Sequence, residues 1–188
     1  MATANVRNII RLPGRICYGA TNLNAAFPHG GTALGICRDM VFNFGYKTDV
    51  ATAEEFGGVV TKAYYAGEKP YLAAVLREFD NDALSKVFPN TSVGTVTQDR
   101  VVNLEADAGN RAGYDLTTGT YKLIFSPFAA TRHPFIVIYY AIPALEESAQ
   151  LNMSLTKEVG IGVVWWAGLN SGNQCYSIGK AADLQAML

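Results

Sequence analysis

Charged side chains are scarce in this sequence, and neither sign is in excess. Only 16% of the 188 residues are charged, with 15 Lys and Arg against 16 Asp and Glu. Soluble domains average roughly 25% charged residues, so we expect some uncharged surface to be buried against a partner. A surface covered by Ser, Thr, Asn and Gln is the alternative. The lack of a basic excess argues against a duplex-binding protein, which needs clustered Lys and Arg.

Long apolar runs are also missing. The longest lies around 135–143, far short of the ~20 residues that a bilayer-spanning helix needs, so we expect no membrane contact. Residues 1–11 lack the apolar core and cleavage site of a signal peptide, so none is expected there. The chain length suits one domain, or one domain with an ordered arm, and allows a real hydrophobic core.

Cysteine and histidine, which supply disulfides and many metal sites, are few. Cys17, Cys37 and Cys175 are widely spaced and form no C-x-x-C pair. We expect three buried thiols in a reducing compartment, with an intermolecular disulfide between assembled copies as the alternative. His29 and His133 have no Cys or carboxylate at ligand spacing, so we expect no metal site.

Recognisable catalytic motifs are absent as well. There is no G-x-S-x-G elbow, and the glycine-rich stretch at 30–35 lacks the Lys and spacing of a phosphate loop. The acidic pairs at 54–55 and 146–147 point apart on a strand or loop, which indicates solvated surface rather than acid–base chemistry. The Asp-Asn-Asp run at 80–82 lacks the other ligands of a calcium loop and is better explained by helix capping. We therefore expect no enzyme, no catalytic residue and no cofactor.

Residues 1–35 carry many apolar side chains but little periodicity. Pro13-Gly14 and the Phe-Pro-His-Gly-Gly run at 27–31 interrupt any regular element. We predict an irregular N-terminal arm over 1–35, with one short strand around Val6–Leu12, lying on its own domain or on a neighbouring copy. Its apolar content is too high for a solvated tail. The arm residues that we predict to take part in self-association are Ile9, Ile10, Leu12 and Phe27.

Residues 36–188 have the pattern of a single β domain. Alternation and β-branched or aromatic enrichment predict strands at Met40–Tyr46, Val59–Ala66, Tyr71–Phe79, Thr120–Ser126, Phe135–Ile142, Ser148–Leu155 and Val159–Leu169. A hairpin turn is predicted at 67–70, and one short helix near 80–88 that docks on the strands and ends before Pro89. The predicted fold is mainly β: an antiparallel β-sandwich or barrel of about seven strands with one short flanking α-helix.

The last predicted strand is apolar on both faces. It contains Trp165 and Trp166, and a strand buried on both sides lies either between layers or at a contact between subunits. A ligand-stacking platform is the alternative for this pair. We predict that both tryptophans take part in core packing and self-association.

A particular order of features runs from Glu54 to Asn90. A strand with an acidic lead-in (54–60) precedes the turn on Gly67-Glu68, and a second strand ending in Leu-Arg-Glu-Phe (71–79) runs straight into the predicted helix. This layout resembles the middle of bacteriophage tail tube proteins, whose fold is shared with the type VI secretion tube protein. In that family, a hairpin strand ending in a leucine-x-glutamate-aromatic phrase leads into the single helix. The closing strands, ending in Ala167-Gly168-Leu169, are similar too, so the resemblance covers about Met40–Ile178.

The resemblance implies a virion structural protein, assembled in the host bacterial cytoplasm, that forms the phage tail tube. It implies a homo-oligomer of stacked hexameric rings with open strand edges, the tape-measure protein and other tail proteins as partners, and transient, non-specific passage of DNA through the lumen. The arm at 1–35 and the stretch at 90–119 have no counterpart in the family, and are our candidates for ring-to-ring contacts. Another phage structural component (a tail terminator, a neck or collar protein, or a capsid decoration protein) is an alternative. A ligand-binding β-sandwich is a further one.

Overall fold

The protein has a mainly antiparallel β fold. The computed structural model describes residues 13–78, 86–87, 91–93, 102–104, 115–131, 133–145 and 160–188. Its strands are β1 (Gly14–Tyr18), β2 (Thr32–Ala33), β3 (Cys37–Asn43), β4 (Tyr46–Ala53), β5 (Val59–Glu68), β6 (Tyr71–Leu76), β7 (Thr91–Val93), β8 (Val102–Leu104), β9 (Tyr121–Pro127), β10 (Phe135–Leu145), β11 (Ile161–Gly168) and β12 (Tyr176–Gly179). A short helix, α1 (Ala181–Gln185), follows them. The predicted mainly β fold with a short helix is confirmed.

Eight of the strands form one curled antiparallel sheet. Their order is β2-β1-β9-β10-β11-β6-β3, and β12 pairs with the first half of β10. The two ends of this order, β2 and β3, are joined by Leu34–Ile36 alone, a connection that spans at most about 14 Å. The sheet must therefore roll up. Phe42 and Leu72 from one side of the roll meet Phe125 and Ile136 from the other around a small pocket. The described strands do not close into a barrel.

Alternate side chains of the strands fill the inside of the roll, as the two-residue period of a strand requires. In β9 and β10, for example, Leu123 and Ile138 point inward whereas Ile124 and Val137 point outward. The inner core consists of Ile16, Leu34, Leu72, Ala74, Leu76, Val87, Leu123, Phe125, Ile136, Ile138, Ala141, Ile161, Val163 and Trp165.

One half of the outer surface of the sheet is covered by the chain itself. Its outer core consists of Cys17, Ala20, Leu23, Ile124, Phe135, Val137, Tyr139 and Leu184. Helix α1 supplies Leu184, and the side chain of Gln185 fixes the helix to the loop after β1. The Gln185 amide accepts a hydrogen bond from the backbone N–H of Leu23 at 2.6 Å and donates one to the Thr21 carbonyl at 3.1 Å. Such tertiary contacts are what hold so short a helix.

Strand β1 corrects the predicted irregular arm. It pairs with β9 along its whole length, and Ile16 and Cys17 are wholly buried. Leu34 is also in the inner core, so a boundary at residue 35 does not separate this stretch from the rest. The prediction was wrong here because β1 is only five residues long, which is too short for a period to stand out between glycines. The remaining arm residues, Ile9, Ile10 and Leu12, lie outside the described part of the chain.

Strands β4 and β5 form a two-stranded ribbon that continues β3 and β6 beyond the main sheet. The predicted hairpin turn at 67–70 was wrong, because β5 pairs with β4 and β6 pairs with β3. At 67–70 the chain passes from the ribbon into the sheet. The reversal lies at the ribbon tip, after the 3-10 turn Glu54–Phe56, where Gly57 and Gly58 have positive φ. Glycine and proline are common both in kinks of a strand and in hairpin turns, so the local sequence at 67–70 could not show which of the two forms there.

The predicted helix at 80–88 lies outside the described residues except for Lys86 and Val87, which are helical. Val87 is wholly buried in the inner core, and the Lys86 carbonyl accepts a hydrogen bond from the Tyr121 hydroxyl. The predicted strand Ser148–Leu155 and the acidic pair at 146–147 also lie outside the described residues. No helix in the described ranges is long and apolar enough to span a membrane.

Candidate interaction surfaces

The half of the outer sheet surface that lies over β3, β6, β11 and the second half of β10 is almost free of charge. The register places a continuous set of uncharged side chains there, which we call the neutral face: Val41, Asn43, Tyr71, Ala73, Val75, Tyr140, Ile142, Ala144, Gly162, Val164, Trp166 and Gly168. Val41 is 54% exposed, Trp166 41% and Tyr140 37%. Among the described residues, two charged side chains lie at its border: Arg38, opposite Val75, and Arg77, which follows Val75 on the same side of β6 and lies near Gly160.

An antiparallel sheet that faces water on one side normally carries polar residues there. The neutral face instead spans four strands, about 19 Å across, and about 17 Å along them. That is roughly 320 Å², as large as the largest apolar patch of many monomers, and such patches commonly bind a partner. The neutral face is therefore a candidate docking surface.

The ribbon has two unlike faces. On the first, β4 carries Tyr46, Thr48, Val50 and Thr52, and the β5 residues opposite them are Glu68, Tyr65, Ala63 and Val60. We call this face the neutral ribbon face, because it is uncharged beyond Glu68 at its base. On the second, the ribbon carries the charged Lys47, Asp49 and Lys62 together with Val59 and Tyr64. The rings of Tyr46 and Tyr65 are in contact, with centroids 5.1 Å apart, which fits their place on one face.

The neutral ribbon face is open to solvent. Tyr46 is 62% exposed, Val50 56%, Val60 53% and Tyr65 57%. A two-stranded hairpin is marginally stable by itself in water, and apolar side chains so exposed gain nothing from the fold of their own chain. Such exposed apolar side chains are typical of a projecting arm that packs against another molecule.

The free edge of β3 is protected over part of its length. A register shift lies between Arg38 and Val41, and Asp39 has φ +52°. The Arg38 guanidinium and the Asp39 carboxylate are 3.0 Å apart, and both side chains are more than half exposed. Bulges and charges on an edge strand hinder pairing with another strand. A partner is therefore better bound by side-chain packing on the neutral surfaces than by backbone pairing with this end of β3.

An open groove of about 810 Å³ lies between the base of the ribbon and the loop that joins β11 to β12. Tyr65, Glu68, Leu169, Cys175 and Tyr176 are among its lining residues. Partial burial, followed by the negative charge of Glu68, raises the pKa of the Cys175 thiol and of the Tyr176 hydroxyl. The groove therefore has aromatic walls and a negative potential.

A buried serine–histidine pair lies in the outer half of the molecule. Nδ1 of His29 is 2.8 Å from the Ala25 carbonyl, which can only accept, so we assign the proton to Nδ1. Nε2 then accepts from the Ser126 hydroxyl at 2.9 Å. His29 is 4% exposed and Ser126 3%, so the pair is closed to a substrate and ties the loop after β1 to β9. Within the described residues, no group of three or more His, Cys, Asp or Glu side chains could hold a metal ion.

The cysteines do not pair with one another. Cys17 is buried, and Cys37 and Cys175 are partly buried, all as free thiols. Burial raises the pKa of the Cys17 thiol, and also that of Cys37, to about 12. Cys175 is the most open of the three by its place in the groove.

The two tryptophans fall on opposite faces of β11. Trp165 is wholly buried in the inner core, where its Nε1–H donates to the Tyr121 hydroxyl at 2.7 Å. The self-association prediction does not fit Trp165, because it has no surface to offer a partner. Trp166 lies on the neutral face with its ring 5.1 Å from that of Tyr71. The core role predicted for this strand fits Trp165, and the contact role of the exposed Trp166 stays a prediction.

Phe27, the remaining predicted self-association residue, packs against its own subunit. It is partly buried beside the outer core, and the Arg15 guanidinium lies 4.0 Å from its ring centroid. The sequence reasoning missed most of the exposed apolar residues of the ribbon. Their signal was present, since β4 alternates Tyr46, Thr48, Val50 and Thr52 with Lys47 and Asp49, but no strand was predicted there.

No protein-family model matches this sequence. A search of curated proteins gives no significant match either.

Proposed function

We propose that this protein is a self-assembling structural subunit of a virion, and that it builds the tube of a phage tail. The observation that carries the proposal is the neutral face, a set of uncharged side chains over four strands with Val41 and Trp166 exposed to water. A second, largely uncharged surface on the protruding ribbon supports it. Two such surfaces on one small chain favour repeated contacts between copies over a single binding event.

The order of features from Glu54 to Asn90 supports the narrower proposal of a tail tube. In this proposal the copies form stacked, hexameric rings around the tape-measure protein, other tail proteins bind at the ends, and DNA later passes through the lumen without specific contacts. The net charge of −1 suits such a lumen, because a strongly basic wall would bind DNA tightly. Assembly takes place in the host bacterial cytoplasm.

Removing the apolar character of the neutral face tests self-assembly. We expect Trp166→Glu to abolish assembly, since it places a charge in the middle of the contact. Met187→Glu is the matched control: Met187 is 49% exposed and lies on neither neutral surface. Sedimentation velocity over a concentration series gives the assembled fraction, and negative-stain microscopy gives its shape.

Wild type and Met187→Glu are expected to form rings or hollow tubes, while Trp166→Glu stays monomeric with an unchanged circular dichroism spectrum. Raising NaCl from about 0.1 to 1 M should leave assembly intact, because salt screens charges and not apolar contacts. A wild-type protein that stays monomeric at every concentration and salt level would refute the proposal. Closed rings that never stack would favour a tail terminator, neck or collar protein over a tube.

The groove favours a second candidate function, the binding of a small ligand. Its exposed tyrosine Tyr65 and the amides of Asn173 and Gln174 are side chains that bind sugars by stacking and hydrogen bonding. Screening a glycan panel against wild type and Tyr65→Ala tests this. Binding that is lost in the variant, by a protein that remains a monomer, would support the ligand-binding role instead.

A further inference from the structure

We infer that the neutral ribbon face of one copy packs on the neutral face of a second copy, so that the copies join head to tail. This inference rests on the proposed function, because it names the two surfaces through which the subunits would assemble. It follows from the position, charge and size of those surfaces.

The neutral ribbon face is not covered by the described part of its own chain, since Tyr46, Val50, Val60 and Tyr65 are all more than half exposed. The ribbon leaves the main sheet as a direct continuation of β3 and β6, two of the strands that carry the neutral face. At its base the backbone N–H of Lys69 donates to the Gly45 carbonyl at 3.2 Å, which ties the two chains of the ribbon together where they leave the sheet. A contact that covers these exposed side chains is therefore made with another molecule.

The scarcity of charge on both surfaces makes a second copy a fitting partner. A charged partner on the neutral face would lose hydration without gaining an opposite charge over most of that face. Turning the other face of the ribbon inward would bury Lys47, Asp49 and Lys62 at a high desolvation cost. The neutral ribbon face instead brings Tyr46, Val50, Val60 and Tyr65, which pack on an apolar sheet as two β layers do, about 10 Å apart.

The size of the two surfaces sets the strength of the contact. The eight residues of β4 extend about 27 Å, and two strands with their side chains are about 10 Å wide. Since the neutral face is only about 19 Å across, one contact buries on the order of 190 Å² on each side, or about 380 Å² in total, less than the ~1,200 Å² of a standard stable interface. A single pair of copies is weak. A copy within a ring or filament makes two such contacts, one through its ribbon and one through its neutral face.

The contact is heterologous, because the ribbon and the neutral face are different parts of the molecule. A head-to-tail contact generates a ring when the rotation closes and an open filament when it does not. A self-complementary contact of either surface with itself would stop at a dimer. The stoichiometry of variants that have lost one surface each therefore distinguishes the two arrangements.

The variants are Val50→Glu, which disables the ribbon, and Trp166→Glu, which disables the neutral face. Ala51→Glu is the matched control, because Ala51 is exposed, adjacent to Val50 and on the charged side of the ribbon opposite Lys62. We expect at least about a hundredfold weaker self-association of Val50→Glu, since an unpaired carboxylate would be buried in the contact. Ala51→Glu should assemble like wild type. Circular dichroism and thermal unfolding verify that each variant is folded.

Mixing the two disabled variants gives the decisive measurement. The intact ribbon of Trp166→Glu can bind the intact neutral face of Val50→Glu, and no further copy can add to that pair. Because a single contact is weak, the mixture and each separate solution are brought to about 1 mM and cross-linked. We expect a heterodimer of twice the 20.3 kDa chain mass in the mixture and monomers in each separate solution, read by mass spectrometry.

Each other outcome overturns the inference in a recognisable way. Assembly of Val50→Glu at the wild-type level would show that the ribbon is not used. Homodimers of each variant alone would show that each surface binds itself, and a mixture that stays monomeric would show that the two surfaces do not meet. A wild type that never assembles refutes the proposed function itself, and it is measured before any variant.

Discussion

Replacing the two adjacent tryptophans of β11 by alanine should separate folding from assembly. Trp165 has no exposed surface and lies among the inner-core residues of β6 and β9. Truncation of a buried Trp costs about 3–5 kcal/mol. The Tyr121 hydroxyl also loses the indole donor at 2.7 Å, which adds about 1 kcal/mol. We expect Trp165→Ala to lower the free energy of unfolding by about 4–6 kcal/mol.

The same substitution at Trp166 should have a much smaller effect on the isolated subunit. Trp166 is 41% exposed and contacts the Tyr71 ring, a pair worth about 0.5–1.5 kcal/mol. We therefore expect Trp166→Ala to cost about 1 kcal/mol and to weaken assembly, whereas Trp165→Ala acts on the fold. Domains have only about 5–15 kcal/mol of stability, so a loss of this size can prevent Trp165→Ala from folding. In that case Trp165→Phe, which is expected to lose about 1–3 kcal/mol, replaces it in the comparison.

Urea unfolding followed by far-UV circular dichroism measures both effects. The protein must be dilute enough to be monomeric, because assembly adds apparent stability that depends on concentration. Equal losses for Trp165→Ala and Trp166→Ala would refute the division of β11 into a core face and a contact face. So would a loss below about 1 kcal/mol for Trp165→Ala.

Two further predictions concern the base of the ribbon and the thiols. Gly45→Ala should destabilise the ribbon base by about 2–3 kcal/mol, because Gly45 has φ +60° and an added Cβ would lie 2.1 Å from a backbone oxygen. Gly57→Ala is the control: an added Cβ there would have no atom within 4 Å, so we expect a cost of about 1 kcal/mol. Limited proteolysis and thermal unfolding compare the two variants. At pH 8 a maleimide should label Cys175 in the native protein but Cys17 and Cys37 only after unfolding, because burial raises the pKa of the latter two to about 12. Between about pH 9 and 12 these two thiols stay protonated in the folded protein but lose their protons in the unfolded chain, so the free energy of unfolding should fall as the pH rises through this range. Labelling of Cys17 in the native protein would contradict the first expectation, and a stability that does not change with pH would contradict the second.

The sequence pattern predicted the elements whose signal is local. The alternation and apolar content of residues 135–142 and 159–169 gave β10 and β11 with small errors at their ends. The opposite faces of Trp165 and Trp166 follow from the two-residue period of a strand, but the sequence did not show which of the two is buried, and both were predicted to take part in self-association. Short β1 had too few residues to show a period.

The candidate surfaces depend on information that no local pattern holds. The neutral face exists because β6 lies beside β11, with Val164 opposite Ala73 and Trp166 opposite Tyr71. A shift of one residue in that register would exchange the inner core for the outer surface. The pairing of β5 with β4 rather than β6 is likewise decided by packing over the whole sheet, since the glycines and Pro70 near the ribbon base fit either arrangement.

The strand order has a consequence for the timing of synthesis. Strand β1 ends at Tyr18, but its partner β9 begins at Tyr121, and β10 and β11 follow later still. A chain emerging from the ribosome has its ribbon complete long before the strands that close the inner core. The neutral face needs both early strands, β3 and β6, and late ones, β10 and β11. If the ribbon binds the neutral face of another copy as we propose, unfinished chains on one messenger RNA carry the ribbon before any of them has the finished surface that receives it.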